Sequence, residues 1–296
     1  MLTIEEAFAK FRGRQELMTR EQEDVSRQHK DVRAEVKSGV KTNRDFLTGS
    51  YDRWTKTRPL KDVDVFFVLH EDERPYRDKH PREILRRIRK LLVPKYGEDF
   101  VTIDRMAVRV DFGVVVNPDD ETDDKVMSLD AVPAFTKGDH YEIPDETNGT
   151  WIETNPETHA QLAVDAHEAY AREWKPIVRM IKKWNRHQGR PVTLSFLLEV
   201  MALDLLVPPF SGGYPYELKS FFADAADRIH DTWADPGGLG PAVSDGMTRT
   251  EKDAARQALL DATETATRAI LQTRQGKIGE ALRTWRELFG PHFPLS

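Results

Sequence analysis

Cysteine is missing altogether from the 296 residues. Disulfides, thiolate metal sites and thiol nucleophiles are thereby excluded, and the composition suits a reducing cytoplasm. Also missing is any apolar run of the ~18 to 20 residues that a membrane-spanning helix needs. The opening Met-Leu-Thr-Ile-Glu-Glu lacks the basic stretch and apolar block of a secretory leader, so none is expected. Net positive charge is lacking too: 44 Lys and Arg against 50 Asp and Glu give a formal −6. A broad, sequence-independent nucleic-acid surface relies on clustered cations and is not expected, whereas a small anionic substrate needs only a few. No G-x-x-x-x-G-K-[ST] loop, H-E-x-x-H pair or G-x-S-x-G elbow occurs. His140, His159 and His167 form no ligand pair and read as packing or surface side chains.

What is present divides into two halves. Residues 3 to about 38 read as one long helix, with Phe11, Met18, Val25 and Val32 recurring every seventh position and Gly39 as its stop. From Phe46 to about Phe135, strand-like runs at 63–69, 101–103, 107–116 and 126–132 alternate with a helical pattern at 81–92. That mixture predicts a sheet domain of the α/β or α+β kind. The acidic run Asp119 to Asp124 reads as a solvated hairpin loop. After Pro156 helices dominate: 159–188, 194–206, 218–233, 250–275 and 278–288, the fourth opening on a capping pattern at Thr250 to Asp253. The six tryptophans read as core rather than as base-stacking platforms.

The chemistry sits in Leu47-Thr48-Gly49-Ser50 and, after eleven residues, Asp62-Val63-Asp64-Val65. Alternation along a strand points Asp62 and Asp64 to one face, with Cα atoms ~6.6 Å apart, and Val63, Val65 and Phe67 to the other. Asp-x-Asp alone also describes the solvent face of an edge strand. A Gly-Ser turn just upstream shifts the balance, because glycine lets backbone approach a phosphate and serine adds a hydroxyl and an N–H. Paired carboxylates are tolerable where a cation sits between them, and Mg²⁺ favours carboxylates together with phosphate oxygens and water.

The segment from Leu47 to Val65 resembles the signature of the polymerase β-like nucleotidyltransferases. Gly49 to Thr55 followed by Arg58 to Asp64 is closer still to the cGAS/DncV-like branch, whose bacterial members make cyclic nucleotide signals in anti-phage defence. In that family a third acid precedes two apolar residues and Pro-Ala. Leu129-Asp130-Ala131-Val132-Pro133-Ala134 matches, so Asp130 is assigned and Asp111, in Val110-Asp111-Phe112-Gly113, is its rival. Ile177 to Asn185 resembles the helix whose lysine touches the triphosphate, making Lys182 the contact and Lys183 its alternative. Ser195, opening Ser195 to Glu199, resembles a further phosphate contact. On composition alone Lys182 would be an ordinary surface lysine.

The resemblance implies a polymerase β-like sheet domain with an N-terminal spine helix at 1–157. A helical domain of the oligoadenylate-synthetase type at 158–296 would complete the nucleotide cleft. It implies a cytoplasmic synthase that uses Mg²⁺, or Mn²⁺, at Asp62, Asp64 and Asp130 to join nucleoside triphosphates into a cyclic di- or oligonucleotide. Gly49, Ser50, Lys182 and Ser195 would hold phosphates, and a separate effector protein would sense the product. Without cysteine there is no zinc-dependent grip on DNA of the kind found in animal cGAS, and no membrane partner is expected. Two other readings share the motifs: a template-independent linear transferase acting on RNA or a small acceptor, and a non-catalytic nucleotide-binding protein. The first should show a basic track, and the second should have lost an acid.

Overall fold

The computed structural model describes residues 2–16, 19–57, 62–114 and 128–296, with side chains at 19–26 also outside the description. The expected acidic hairpin at 119–124 falls outside it. The fold is mixed α+β. Its chain separates into two compact units, one of Leu17–Arg53 and Arg58–Ala160, the other of Met1–Glu16, Trp54–Thr57 and Gln161–Ser296.

The first unit is built on a mixed sheet. Strands β1 (Thr42–Thr48), β2 (Asp62–Leu69), β3 (Val101–Ile103), β4 (Val108–Asp111) and β5 (Ser128–Lys137) stand in the order β1-β2-β5-β4-β3. Only the β2–β5 pairing is parallel among these; β1–β2, β4–β5 and β3–β4 are antiparallel. The far end of β5 continues into β6 (His140–Asp145) and β7 (Thr150–Thr154). Alternation assigns the two faces. Val65, Phe67, Val108, Val110, Leu129 and Ala131 pack in one cluster with Val32 and Val36 of α2 (Thr19–Lys37). Ile84, Leu85, Ile88 and Leu92 of α4 (Arg82–Tyr96) join the same cluster. On the opposite face Phe66, Val68, Val132 and Ala134 meet Tyr141 and Ile143. That cover lies toward the far end of β2 and β5, while Asp62, Asp64 and Asp130 occupy their near end.

The second unit is helical. Its helices are α1 (Ile4–Gln15), most of α5 (Pro156–Ala169), α6 (Trp174–His187), α7 (Ser195–Leu205), α8 (Tyr214–Arg228), α9 (Arg249–Arg274) and α10 (Ile278–Phe289). Every residue of α6 from Pro176 to Asn185 is buried, the cations Arg179, Lys182 and Lys183 included, so its polar face is covered as well as its apolar one. Phe8 of α1 meets Trp285 edge-on at 5.0 Å and Phe293 at 5.1 Å, and Phe11 lies 4.8 Å from Phe289. Trp174, Trp184 and Trp285 are fully buried, but Trp54 is 52% exposed, against the expectation for tryptophan here.

Three boundaries differ from the sequence expectation. The single helix expected over 3 to 38 is two helices, because Glu16 is extended (φ −80°, ψ 145°) after α1. The seven-residue pattern had merged two faces serving different cores: Phe11 packs with the helical unit and Val32 with the sheet unit. The helix expected over 159–188 breaks between α5 and α6, where Ala171 and Arg172 take φ of 53° and 65°. Helix α9 begins earlier than the Thr250 pattern suggested: Thr248 is the N-cap and forms a reciprocal capping box with Glu251.

Candidate active site

The near end of the sheet gathers the acids through strand register. Asp64 on β2 is paired with Thr48 on β1 and with Asp130 on β5; Asp130 is paired with Arg109 on β4, and Arg109 with Thr102 on β3. One polar row therefore crosses five strands on one face. Asp62 lies in the adjoining row, opposite Ser128, which in turn faces Asp111. Asp62 is exposed, Asp64 half-buried and Asp130 buried.

Asp64 is the electrostatic centre. Burial first, then the charges of Asp130 and Asp62, push its carboxyl from 3.8 up to about 7, while Arg53 and Arg109 pull the other way. A carboxylate withdrawn from water beside two like charges is a place for a cation. Asp130 is already engaged: Arg109 Nε donates to Oδ1 at 2.9 Å and Nη2 to Oδ2 at 2.8 Å, a fork matched to the carboxylate. That hydrogen bond raises the Arg109 pKa above its ordinary value despite desolvation. Asp111, the rival third acid, is exposed at the end of β4 and accepts from the Gly113 N–H at 2.8 Å. It stands two strands from Asp62 and Asp64, where Asp130 stands one strand away.

The Gly49-Ser50 turn opens the short helix α3 (Gly49–Asp52) directly after β1. Gly49 has φ +70°, and an added Cβ would sit 1.8 Å from Asp64 Oδ2. Glycine is thus required on two counts, a left-handed backbone and a carboxylate packed against its Cα. Sequence reasoning had offered phosphate approach alone as the reason for this glycine.

The donor set suits a divalent cation: hard carboxylate oxygens, an excess of negative charge at Asp64, and a glycine cradle that a side chain would fill. As the side chains stand, no three metal-ligating residues among the described residues converge into a ready cage. Both Asp130 oxygens accept from Arg109, so a cation there would have to compete with the guanidinium. Arg109 itself was missed from sequence. Its available signal was the alternation Val108-Arg109-Val110, which puts a cation on the polar face of a short strand.

The remaining predicted residues belong to the helical unit. Lys182 is buried, 7% exposed, and donates to Glu199 Oε1, so its surface reading from composition does not hold. Thr55 Oγ1 donates to the other Glu199 oxygen at 2.8 Å, and Arg179 Nη1 donates to the Trp54 carbonyl at 2.8 Å. Lys183 is buried as well, and Ser195 is exposed as the first residue of α7. Asn185 grips both the N–H and the carbonyl of Val192, fixing the connection from α6 to α7. A cavity of about 470 Å³ within this unit, walled by Phe8, Phe210, Tyr214 and Tyr216, contains none of the sequence-predicted residues.

Comparison with known proteins identifies the family. A family model described as the Second Messenger Oligonucleotide or Dinucleotide Synthetase domain matches residues 2–166. The chain is similar to a "Probable cyclic nucleotide synthase" of Bacillus cereus, 25% identical over 280 residues, covering 83% of this chain and 81% of the relative. It is similar to a cyclic AMP-AMP-AMP synthase of Acinetobacter sp., 26% identical over 276 residues, covering 85% and 73%. Among solved structures, E. coli CdnC with ATP superposes with a TM-score of 0.72 at 21% identity, covering 99% of each chain. That protein has also been solved as a CdnC:HORMA-deltaN complex.

Proposed function

This chain belongs to the Second Messenger Oligonucleotide or Dinucleotide Synthetase family, and we propose that it joins nucleoside triphosphates into a cyclic di- or oligonucleotide, releasing pyrophosphate. The observation that carries this reading is the register of Asp64 opposite Asp130, two residues from Asp62 and against the Gly49-Ser50 turn. Asp62, Asp64 and Asp130 are the residues that would hold Mg²⁺, or Mn²⁺ in its place. Held by these carboxylates, such ions would supply Lewis-acid chemistry, easing deprotonation of a ribose hydroxyl and compensating pyrophosphate charge.

The chain's own groups do the rest. Asp64, whose ionisation is disfavoured by burial and by its like-charged neighbours, ties occupancy of the site to the local charge balance. Gly49 keeps the turn pressed to that carboxylate, and Ser50 beside it offers a hydroxyl and an N–H to a phosphate. We assign Ser195 and Lys182 as further phosphate contacts, with Lys183 as the alternative. Lys182 fills that role by sharing itself between phosphate and Glu199. In this reading residues 1–157 carry the metal ligands, and residues 158–296, of the oligoadenylate-synthetase type, complete the nucleotide cleft. The setting is cytoplasmic. The product is a messenger read by a separate effector protein in anti-phage defence; no helix among the described residues is long and apolar enough to cross a membrane.

The test is incubation with four labelled ribonucleoside triphosphates and Mg²⁺ or Mn²⁺, followed by phosphatase, with Asp62→Ala/Asp64→Ala protein alongside. A phosphatase-resistant product absent from the double variant is expected. Products that phosphatase shortens would replace the cyclic assignment with a linear transferase.

A further inference from the structure

We propose that Arg109 is a resident counter-cation for Asp130, yielding that carboxylate to an incoming divalent ion and being received by Asp104. The inference rests on the assignment of Asp130 as a metal ligand. It begins from the fork described above, in which one guanidinium saturates both Asp130 oxygens at 2.9 and 2.8 Å. A carboxylate held this way has one lone pair on each oxygen committed to the guanidinium, so a metal must compete with the arginine for the favourable approach to Asp130.

The guanidinium has somewhere to go. Asp104 Oδ2 lies 3.6 Å from Arg109 Nη2, the same nitrogen that donates to Asp130 Oδ2. Asp104 is 54% exposed and Arg109 39%, so the arginine sits at the rim of the face rather than locked beneath it. Asp104 is itself fixed by the turn between β3 and β4, where its N–H donates to the Ala107 carbonyl at 2.9 Å. A short swing would trade one carboxylate for the other without leaving a bare positive charge beside a bound dication. The arginine thus has two seats, and the ion decides between them.

A fixed brace makes the opposite prediction. Were Arg109 to hold Asp130 in a shape the metal needs, removing it would weaken metal binding. Were it merely a nearby charge, its effect and that of Asp104 would be independent and additive.

The measurement is Mn²⁺ affinity, read from the electron paramagnetic resonance signal of free Mn²⁺, on the full chain without nucleotide. Arg109→Gln is expected to tighten binding by about fivefold, the low end of coupling between two sites. Asp104→Asn, at an exposed position where folding is safe, is expected to weaken it about two- to fivefold. In the Arg109→Gln background the Asp104→Asn effect is expected to vanish, because the seat has lost its occupant. Arg109→Lys, which keeps the charge and loses the fork, is expected to tighten binding as well. Weaker binding in Arg109→Gln overturns the proposal in favour of a brace, and an Asp104→Asn effect that survives in the double variant overturns it in favour of simple charge. Asp62→Asn/Asp64→Asn protein separates the two levels of reading. If it binds Mn²⁺ as tightly as the unaltered chain, the metal assignment itself falls. If its binding is lost while the Arg109 and Asp104 variants change nothing, only the hand-over falls.

Discussion

Glu199 on α7 is a buried carboxylate and Asp64 on β2 a half-buried one, and they keep opposite company. Glu199 receives a lysine ammonium on one oxygen and a threonine hydroxyl on the other. Asp64 faces Asp130 and Asp62, and its carboxyl is pushed up to about 7 in consequence. The first arrangement is balanced in charge as it stands. The second is complete only with something added. Burial alone does not distinguish a charge already balanced from one that calls for a counter-ion; the sign of the neighbours does.

Substitutions can break that contrast. Asp64→Asn is expected to lower synthase activity by roughly 1,000-fold, on the scale of losing a principal electrostatic stabiliser, while the melting temperature of metal-free protein holds or rises. Glu199→Ala is expected to do the reverse in kind, destabilising by ~3–5 kcal/mol because Lys182 is left buried without its carboxylate; chemical denaturation measures it. A loss of stability in Asp64→Asn as large as that in Glu199→Ala would erase the distinction.

Gly49→Ala joins the two effects. The new Cβ must displace the Asp64 carboxylate and adopt φ +70°, so a cost of ~1–3 kcal/mol together with a fall in activity beyond what that cost explains is expected. Parallel denaturation and turnover measurements separate the two.

The pH dependence sharpens the comparison most finely. Asp64 binds its proton more tightly folded, at about 7, than unfolded, at 3.8. Its protonated form therefore stabilises the fold fully below about 3.8, and that contribution is lost as pH rises toward 7. The sign reverses once a divalent ion is bound, since the ion takes the ionised form. The upward shift in melting temperature caused by Mg²⁺ is expected to be larger at pH 8 than at pH 6, and this difference is expected to disappear in Asp64→Asn.

Much of this was legible in the residues. Strand alternation put Asp62 and Asp64 on one face, and the Pro-Ala sequel singled out Asp130, which the parallel β2–β5 register sets opposite Asp64. The helical character after Pro156 was legible, although the stretch at 159–188 divides into α5 and α6 and the helix expected at 218–233 runs over Tyr214–Arg228. What sequence could not supply was which strands neighbour one another and in what register, because pairing is a non-local choice. The role of Arg109 escaped for that reason: alternation puts it on the polar face of its strand, but nothing near it in the chain says that Asp130 is its partner. The split of the N-terminal helix escaped because a seven-residue pattern does not reveal that its two halves serve different cores. The engagement of Lys182 escaped because a lysine's ion partner, here 17 positions on, carries no local mark.

The four residues Trp54–Thr57 deserve a mechanical reading. They lie between the Gly-Ser turn and the acid strand in the chain, yet they belong to the helical unit, tied there through the Trp54 carbonyl and the Thr55 hydroxyl. The backbone consequently laces the two units together at four crossings, and no single cut yields a sheet unit with an intact spacer and a helical unit with an intact core. A substitution in α6 or α7 that weakens these ties is therefore expected to be felt beyond the helical unit, lowering activity as well as stability.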